Sequence, residues 1–257
     1  MSSKRFSRRL LVNKFKHSDW TMPFSIIVST FGFFAIFAFS AYGTETSEAV
    51  TWRNPVAGSI FASICVLGIV LAMSPGRCSK TFGHQKTQEA TTPLPHASNL
   101  VPGTKGHHYD CGKFSAHTIQ IKGHVFCAAC TGLFLGALSA LFGTAIHFFA
   151  GWESQQISFV AVVIGVAATI LGFLQSKFRS LVRLILNVLF VLGAFLILAG
   201  VDGLAANLSF DLFSIFLIAF WIFTRILLSQ WDHRKICKGC SISCKMTEKE
   251  VRSISST

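Results

Sequence analysis

The sequence predicts an all-α polytopic membrane bundle of six transmembrane helices with a small cytoplasmic Cys-rich knuckle, and three observations predict it. Apolar residues fill 51% of the 257 positions and charged residues only 13%, whereas soluble domains carry about 25% charged residues. The apolar residues gather in blocks that reach the roughly 20 residues needed to cross about 30 Å of hydrocarbon. The basic residues fall between these blocks in alternation, as the loops of a multi-pass chain do.

The first block, residues 22–42 (MPFSIIVSTFGFFAIFAFSAY), and the second, 56–74 (VAGSIFASICVLGIVLAMS), contain no charge. Further spans are expected at 126–150, 157–174, 181–201 and 210–229. Backbone N–H and C=O groups in lipid have to pair within their own segment, so each block is read as a helix. Met22 to Ser40 follows a basic stretch, and Ala38-Phe39-Ser40 resembles a cleavage site. The apolar run nevertheless exceeds the about 7–15 residues of a signal sequence, so a retained first helix is expected.

The chain then divides into a basic cytoplasmic arm (1–21), the first two spans (22–74), a polar linker (75–106), a Cys/His-rich knuckle (107–130), the remaining spans (131–229) and a Cys-rich basic tail (230–257). The linker, with scattered Pro, Gly, Thr and His and no sustained periodicity, reads as a flexible connector.

Orientation follows from Lys and Arg, because basic loops stay cytoplasmic. Of the 23 basic residues, all but Arg53 fall on one side of the six blocks. Arg53 shares the other side with Glu45, Glu48, Glu153, Asp202 and Asp211. A cell-membrane protein with both termini cytoplasmic is expected. The net charge of +12 is then mainly a topology signal, and it also draws anionic lipid headgroups to the cytoplasmic face. The basic residues are spread over four segments without a nucleic-acid module, so no nucleic-acid partner is expected. The partners implied are the bilayer and a membrane or cytoplasmic protein.

Cys65 lies inside the second span and reads as a small apolar core residue. The other seven cysteines, Cys78, Cys111, Cys127, Cys130, Cys237, Cys240 and Cys244, map to the cytoplasmic side, where structural disulfides are disfavoured and clustered cysteines point to metal or redox chemistry. Cys127-x-x-Cys130 precedes the third span and Cys237-x-x-Cys240 follows the sixth. Two such pairs complete the four-sulfur tetrahedron that structural zinc prefers. The candidate metal ligands are Cys111, Cys127, Cys130, Cys237, Cys240 and Cys244, with His107, His108, His117 and His124 near the first pair and His233 near the second. Cys78 has no partner at ligand spacing. Unligated or acylated thiols are the plainer alternative. The segment 115–122 alternates apolar Ile119 and Ile121 with polar neighbours, and Gly123 can turn the chain. A strand and turn, or a small hairpin, is expected to deliver Cys127 to the membrane surface.

Cys111, Gly123, Cys127, Ala128, Cys130, Thr131, Gly132 and Gly136 together resemble the signature of a family of small, uncharacterised prokaryotic integral membrane proteins, a cysteine and a glycine followed by C-A-x-C-T-G-x-x-x-G. That signature usually has His after its first cysteine and Arg between the paired ones, where this chain has Gly112 and Ala129. The resemblance implies that Cys111, Cys127 and Cys130 act as one constellation, and it implies no substrate.

Cys237, Cys240 and Cys244 place three thiolates in eight residues, which also suits an iron-sulfur cluster. The spacing is not that of a ferredoxin, so zinc is favoured, with iron-sulfur as the alternative and copper behind. Gly132, Gly136 and Ala140, like Ala161 and Gly165, form small-residue stripes for close helix packing. Polar candidates inside the membrane are few: His147, Asn187 and Arg225, the last close enough to the boundary to snorkel. Asp202 is expected in the outer loop, because a carboxylate at mid-membrane costs about 3 kcal/mol. Thr131 is expected to cap the third span. No phosphate loop, dinucleotide fingerprint, zincin or serine-hydrolase motif is present, so an enzyme is not the favoured reading. The expected function is a membrane protein with a structural cytoplasmic metal site that clamps the bundle or a docking surface. Its alternatives are a membrane redox protein and a metal or small-solute transporter.

Overall fold

The computed structural model describes residues 3–42, 52–73, 117–121, 124–151 and 155–238. These form helices α1 (Ser3–Tyr42), α2 (Arg53–Met73), α3 (Ala128–Thr144), α4 (Gln155–Phe173), α5 (Ser180–Ala205) and α6 (Leu208–Lys238), with a hairpin of β1 (Thr118–Ile121) and β2 (His124–Cys127) ahead of α3. Each helix holds a stretch long and apolar enough to cross a membrane: Trp20–Ser40, Arg53–Met73, Ala128–Phe149, Ile157–Lys177, Ser180–Ala205 and Leu208–Asp232. The six expected blocks are all present, with ends moved by a few residues. The linker 75–106 lies outside the described residues.

Apart from α1, the largest shift at a helix start is in α2. It begins at Arg53 rather than at 56, because Pro55 fits in a first turn, where its missing N–H has no intrahelical partner to lose. At the other extreme, α1 runs 40 residues, about 60 Å at 1.5 Å per residue, twice the hydrocarbon thickness. The basic arm therefore continues the first span as helix. Pro23 marks the junction, where it leaves the Asp19 carbonyl without a helical N–H donor.

Helix α5 is the centre. Gly132 and Gly136 of α3 lie against its Leu184 to Val191 stretch, and Gly165 of α4 faces its Gly193. A methyl group on Gly165 would stand 2.7 Å from the Gly193 carbonyl oxygen, and one on Gly193 would meet the Gly165 oxygen at the same distance. The two backbones thus meet directly, and dispersion rather than water release holds them. Ala140 is buried and Ala161 half-buried. Phe61, Phe190, Ile197, Leu198, Ile218 and Trp221 fill the interior. Helix α1 joins through Phe33, stacked on Trp221 at 4.3 Å between ring centroids, and through Ser29, whose hydroxyl donates to Thr224 Oγ1 at 3.1 Å. Outside, Phe31, Phe34, Phe142 and Phe216 are exposed, an apolar surface of the kind lipid solvates.

The hairpin pairs Thr118 with Cys127 and Ile121 with His124, antiparallel, around the two-residue connection containing Gly123. The expected strand is thus present and paired in a hairpin, residues 122 and 123 lie outside the described residues, and β2 leads without a break into α3. Thr131 does not cap that helix. Its hydroxyl donates to the Cys127 carbonyl at 3.0 Å, which places it one turn inside, and Cys127 itself occupies the cap position without a side-chain cap bond.

Candidate functional site

Polar and charged side chains are buried at both ends of the bundle. The end that holds Cys127 is organised by two arginines. Arg183 lies in the first turn of α5 and is buried. Its Nη2 donates to Asp232 on α6 at 3.1 Å, its Nε to the Gln175 carbonyl at 3.3 Å, and its Nη1 pairs with Nδ1 of His117, just ahead of β1. A guanidinium only donates, so that ring nitrogen accepts. Asn187, 0% exposed, donates to the Arg183 carbonyl.

Arg225 corrects an expectation. It does not snorkel: it is 5% exposed, donates to Gln175 Oε1 at 3.1 Å and lies 5.3 Å over the Phe190 ring. The reason is its position on α6. Asp211, Ser214, Ile218, Trp221 and Arg225 follow at intervals of three and four, one inward stripe. Both Cys130 and Cys127 lie within electrostatic reach of its guanidinium. The two cysteines are free of disulfides and half-buried, one at the strand-to-helix junction and the other in the first turn of α3, where the helix N-terminus favours negative charge.

Of the other predicted ligands, Cys237 lies on α6 at this same end, five residues beyond Asp232. Cys111, Cys240 and Cys244 lie outside the described residues, as do Cys78, His107 and His108. Among the described residues no group of three or more His, Cys, Asp or Glu is placed to hold a metal ion. The described part of the knuckle therefore contributes two thiols and no complete site. Cys65 is buried in α2, as a core residue should be.

The opposite end holds a cluster that composition and spacing did not reveal. Asp202, expected in an exposed outer loop, lies in the last turn of α5 and is 1% exposed. Arg53 Nη2 lies 3.0 Å from its Oδ1, a close charge contact that is misaligned for a hydrogen bond, and His147 Nε2 lies 2.9 Å from its Oδ2. Asp211, in the first turn of α6, has its Oδ2 3.9 Å from Arg53 Nη1. The cost that argued for a loop applies to a lone carboxylate; here the charge contact with Arg53 offsets part of it. Local geometry fixes the two carboxylates side by side. Ala206 turns the chain with a left-handed φ of 45°, its N–H bonding the Asp202 carbonyl at 3.1 Å, and the Asn207 carbonyl accepts the Asp211 N–H at 3.2 Å. His147 sits in a five-residue π-helical turn, Ala145–Phe149, that ends α3.

A sequence signal for this cluster did exist: Arg53 is the lone Lys or Arg on its side, among acidic residues that include Asp202 and Asp211. Comparison with known proteins finds no matching family model, no matching curated protein and no matching solved structure.

Proposed function

We propose that this is a multi-pass protein of the cell membrane, its Cys127 end and both termini cytoplasmic, in which a thiolate metal site, zinc favoured, clamps the helical bundle or a docking surface for a protein partner. One observation carries the reading: Arg183 bonds both His117 and Asp232, so the segment bearing Cys127 and Cys130 is tied to the end of α6 that bears Cys237. Cys127 and Cys130 supply one pair of ligands, and Cys237 and Cys240 the other. Cys111 and Cys244 stand as further donors, as the resemblance of the Cys111 to Gly136 signature supports for the first of them. Bound zinc supplies a closed tetrahedral cross-link with no redox chemistry of its own. The positive-inside distribution supports the orientation. Trp20 and Trp231, exposed at this end, suit the headgroup level, and the neighbouring Lys177 and Arg179, also exposed, suit anionic lipid.

A second reading has its own observation. A C-x-x-C pair lies at a helix N-terminus with the buried Arg225 in electrostatic reach, an arrangement that suits a redox dithiol as well as a metal.

Anaerobic purification in detergent, followed by metal analysis and a visible spectrum, separates the readings. Stoichiometric zinc in a colourless protein, lost in Cys127→Ser and Cys240→Ser, is the expected result. Iron with acid-labile sulfide transfers the site to electron transfer, and a metal-free protein whose folding neither substitution alters removes the metal site.

A further inference from the structure

At the end of the bundle away from the cysteines, four largely buried ionisable side chains from four helices meet: Arg53 of α2, His147 at the end of α3, Asp202 of α5 and Asp211 of α6. Asp202 takes the close contacts with both Arg53 and His147. Asp211 is 0% exposed, and neither of its carboxylate oxygens has a hydrogen-bond partner. No other charge joins them from the described parts of the two remaining helices. Side chains 20–40 of α1 include no ionisable group, and the spanning stretch of α4 carries only Lys177, at the opposite end. Glu45, Glu48 and Glu153 lie outside the described residues.

Two carboxylates and one guanidinium leave this buried group one positive charge short of neutrality, and burial penalises uncompensated charge. One proton corrects the deficit, and it has two homes. On His147 it makes an imidazolium in contact with Asp202; on Asp211 it makes a neutral acid whose oxygens accept no hydrogen bond. A second proton would leave the group positive. The π-helical turn is a further sign of use: its Ala150 N–H reaches back five residues to Ala145 at 3.1 Å, a local rearrangement frequent at functional sites, and it carries the histidine that contacts Asp202.

We propose that Arg53, His147, Asp202 and Asp211 form a binding site for a single exchangeable proton, shared between His147 and Asp211 and drawn from the aqueous phase at the Arg53 end. His147, with 14% of its side chain exposed, is the group in touch with that phase. Towards the other end the path closes: Ile218 and Trp221 follow Ser214 on the inward stripe of α6, and Ile197 and Leu198 of α5 belong to the same apolar core, all fully buried. The site therefore registers proton concentration on one side and does not conduct protons across.

Infrared difference spectra of the protein in lipid, recorded between about pH 5 and pH 8 where histidine-linked sites titrate, test this. The wild type should show a carboxylic-acid C=O band and imidazole ring bands that change with one common midpoint. Asp211→Asn should abolish the carboxylic-acid change, and His147→Gln should move the midpoint by about one pH unit or more. Should Asp211→Asn fail to fold, Asp211→Glu keeps the group and should retain a displaced band. In unidirectionally reconstituted liposomes, only a pH step on the Arg53 side should alter the wild-type bands. Spectra without a titrating band, spectra identical in wild type and Asp211→Asn, or a response to either side overturn the proposal. So does erasure of the band by sodium at constant pH, which would assign the site to a metal cation.

Discussion

Both ends of the bundle bury arginine, and they balance it in opposite ways. At the Arg53 end one guanidinium serves two carboxylates, and the group lacks a cation. At the Cys127 end two guanidiniums, Arg183 and Arg225, have one carboxylate among the described residues, Asp232, and two thiols close by. That end lacks an anion. The same apolar scaffold thus buries one cluster that is short of a cation and another that is short of an anion, with the buried Ile218 and Trp221 on α6 between them.

The largest effect expected from breaking this contrast is at Arg53. Arg53→Ala leaves two buried carboxylates without their cation and should cost about 3–5 kcal/mol, read as a loss of unfolding free energy in detergent. Replacing the close pair together, Arg53→Met with Asp202→Leu, should cost less than the single change. An equal or greater cost would show that packing, not charge, dominates there.

Arg183→Ala comes next. It removes charge-assisted bonds to His117 and Asp232 and should cost about 1.5–3 kcal/mol. It should also lower the yield of chemical cross-linking between Cys127 and Cys237, since the hairpin and α6 lose their shared anchor. An unchanged yield would assign that anchoring to other residues.

Smaller again is a change between the ends. Gly165→Ala forces α4 off Gly193 and should cost about 1–3 kcal/mol through overpacking. Gly68→Ala, where an added methyl meets nothing within 4 Å, should be neutral or stabilising by about 0.5–1 kcal/mol. Thermal unfolding of the two variants side by side checks that the sign follows the space available.

The spans were legible because lipid offers the backbone no partner, so length and apolarity alone dictate helix. The hairpin was legible from the alternation around Ile119 and Ile121 and from Gly123. The packing role of Gly132, Gly136 and Gly165 was legible from their four-residue intervals. Asp202 and Arg225 were misplaced for a common reason: each was weighed as a solitary charge against the bilayer. Their partners, Arg53 and His147 for one and Gln175 for the other, come from helices distant in the chain, and local sequence carries no record of which distant side chain will arrive.

What the sequence by itself determined is the solvent each segment occupies: six apolar helices, basic residues gathered on one side of them, and a cysteine pair at the head of α3. Only the tertiary structure decided which polar side chains share a low-dielectric interior. Burial raises the cost of an unpaired charge far above that of a paired one, so the value of Arg53, Asp202 or Arg225 is set by the neighbours that packing supplies.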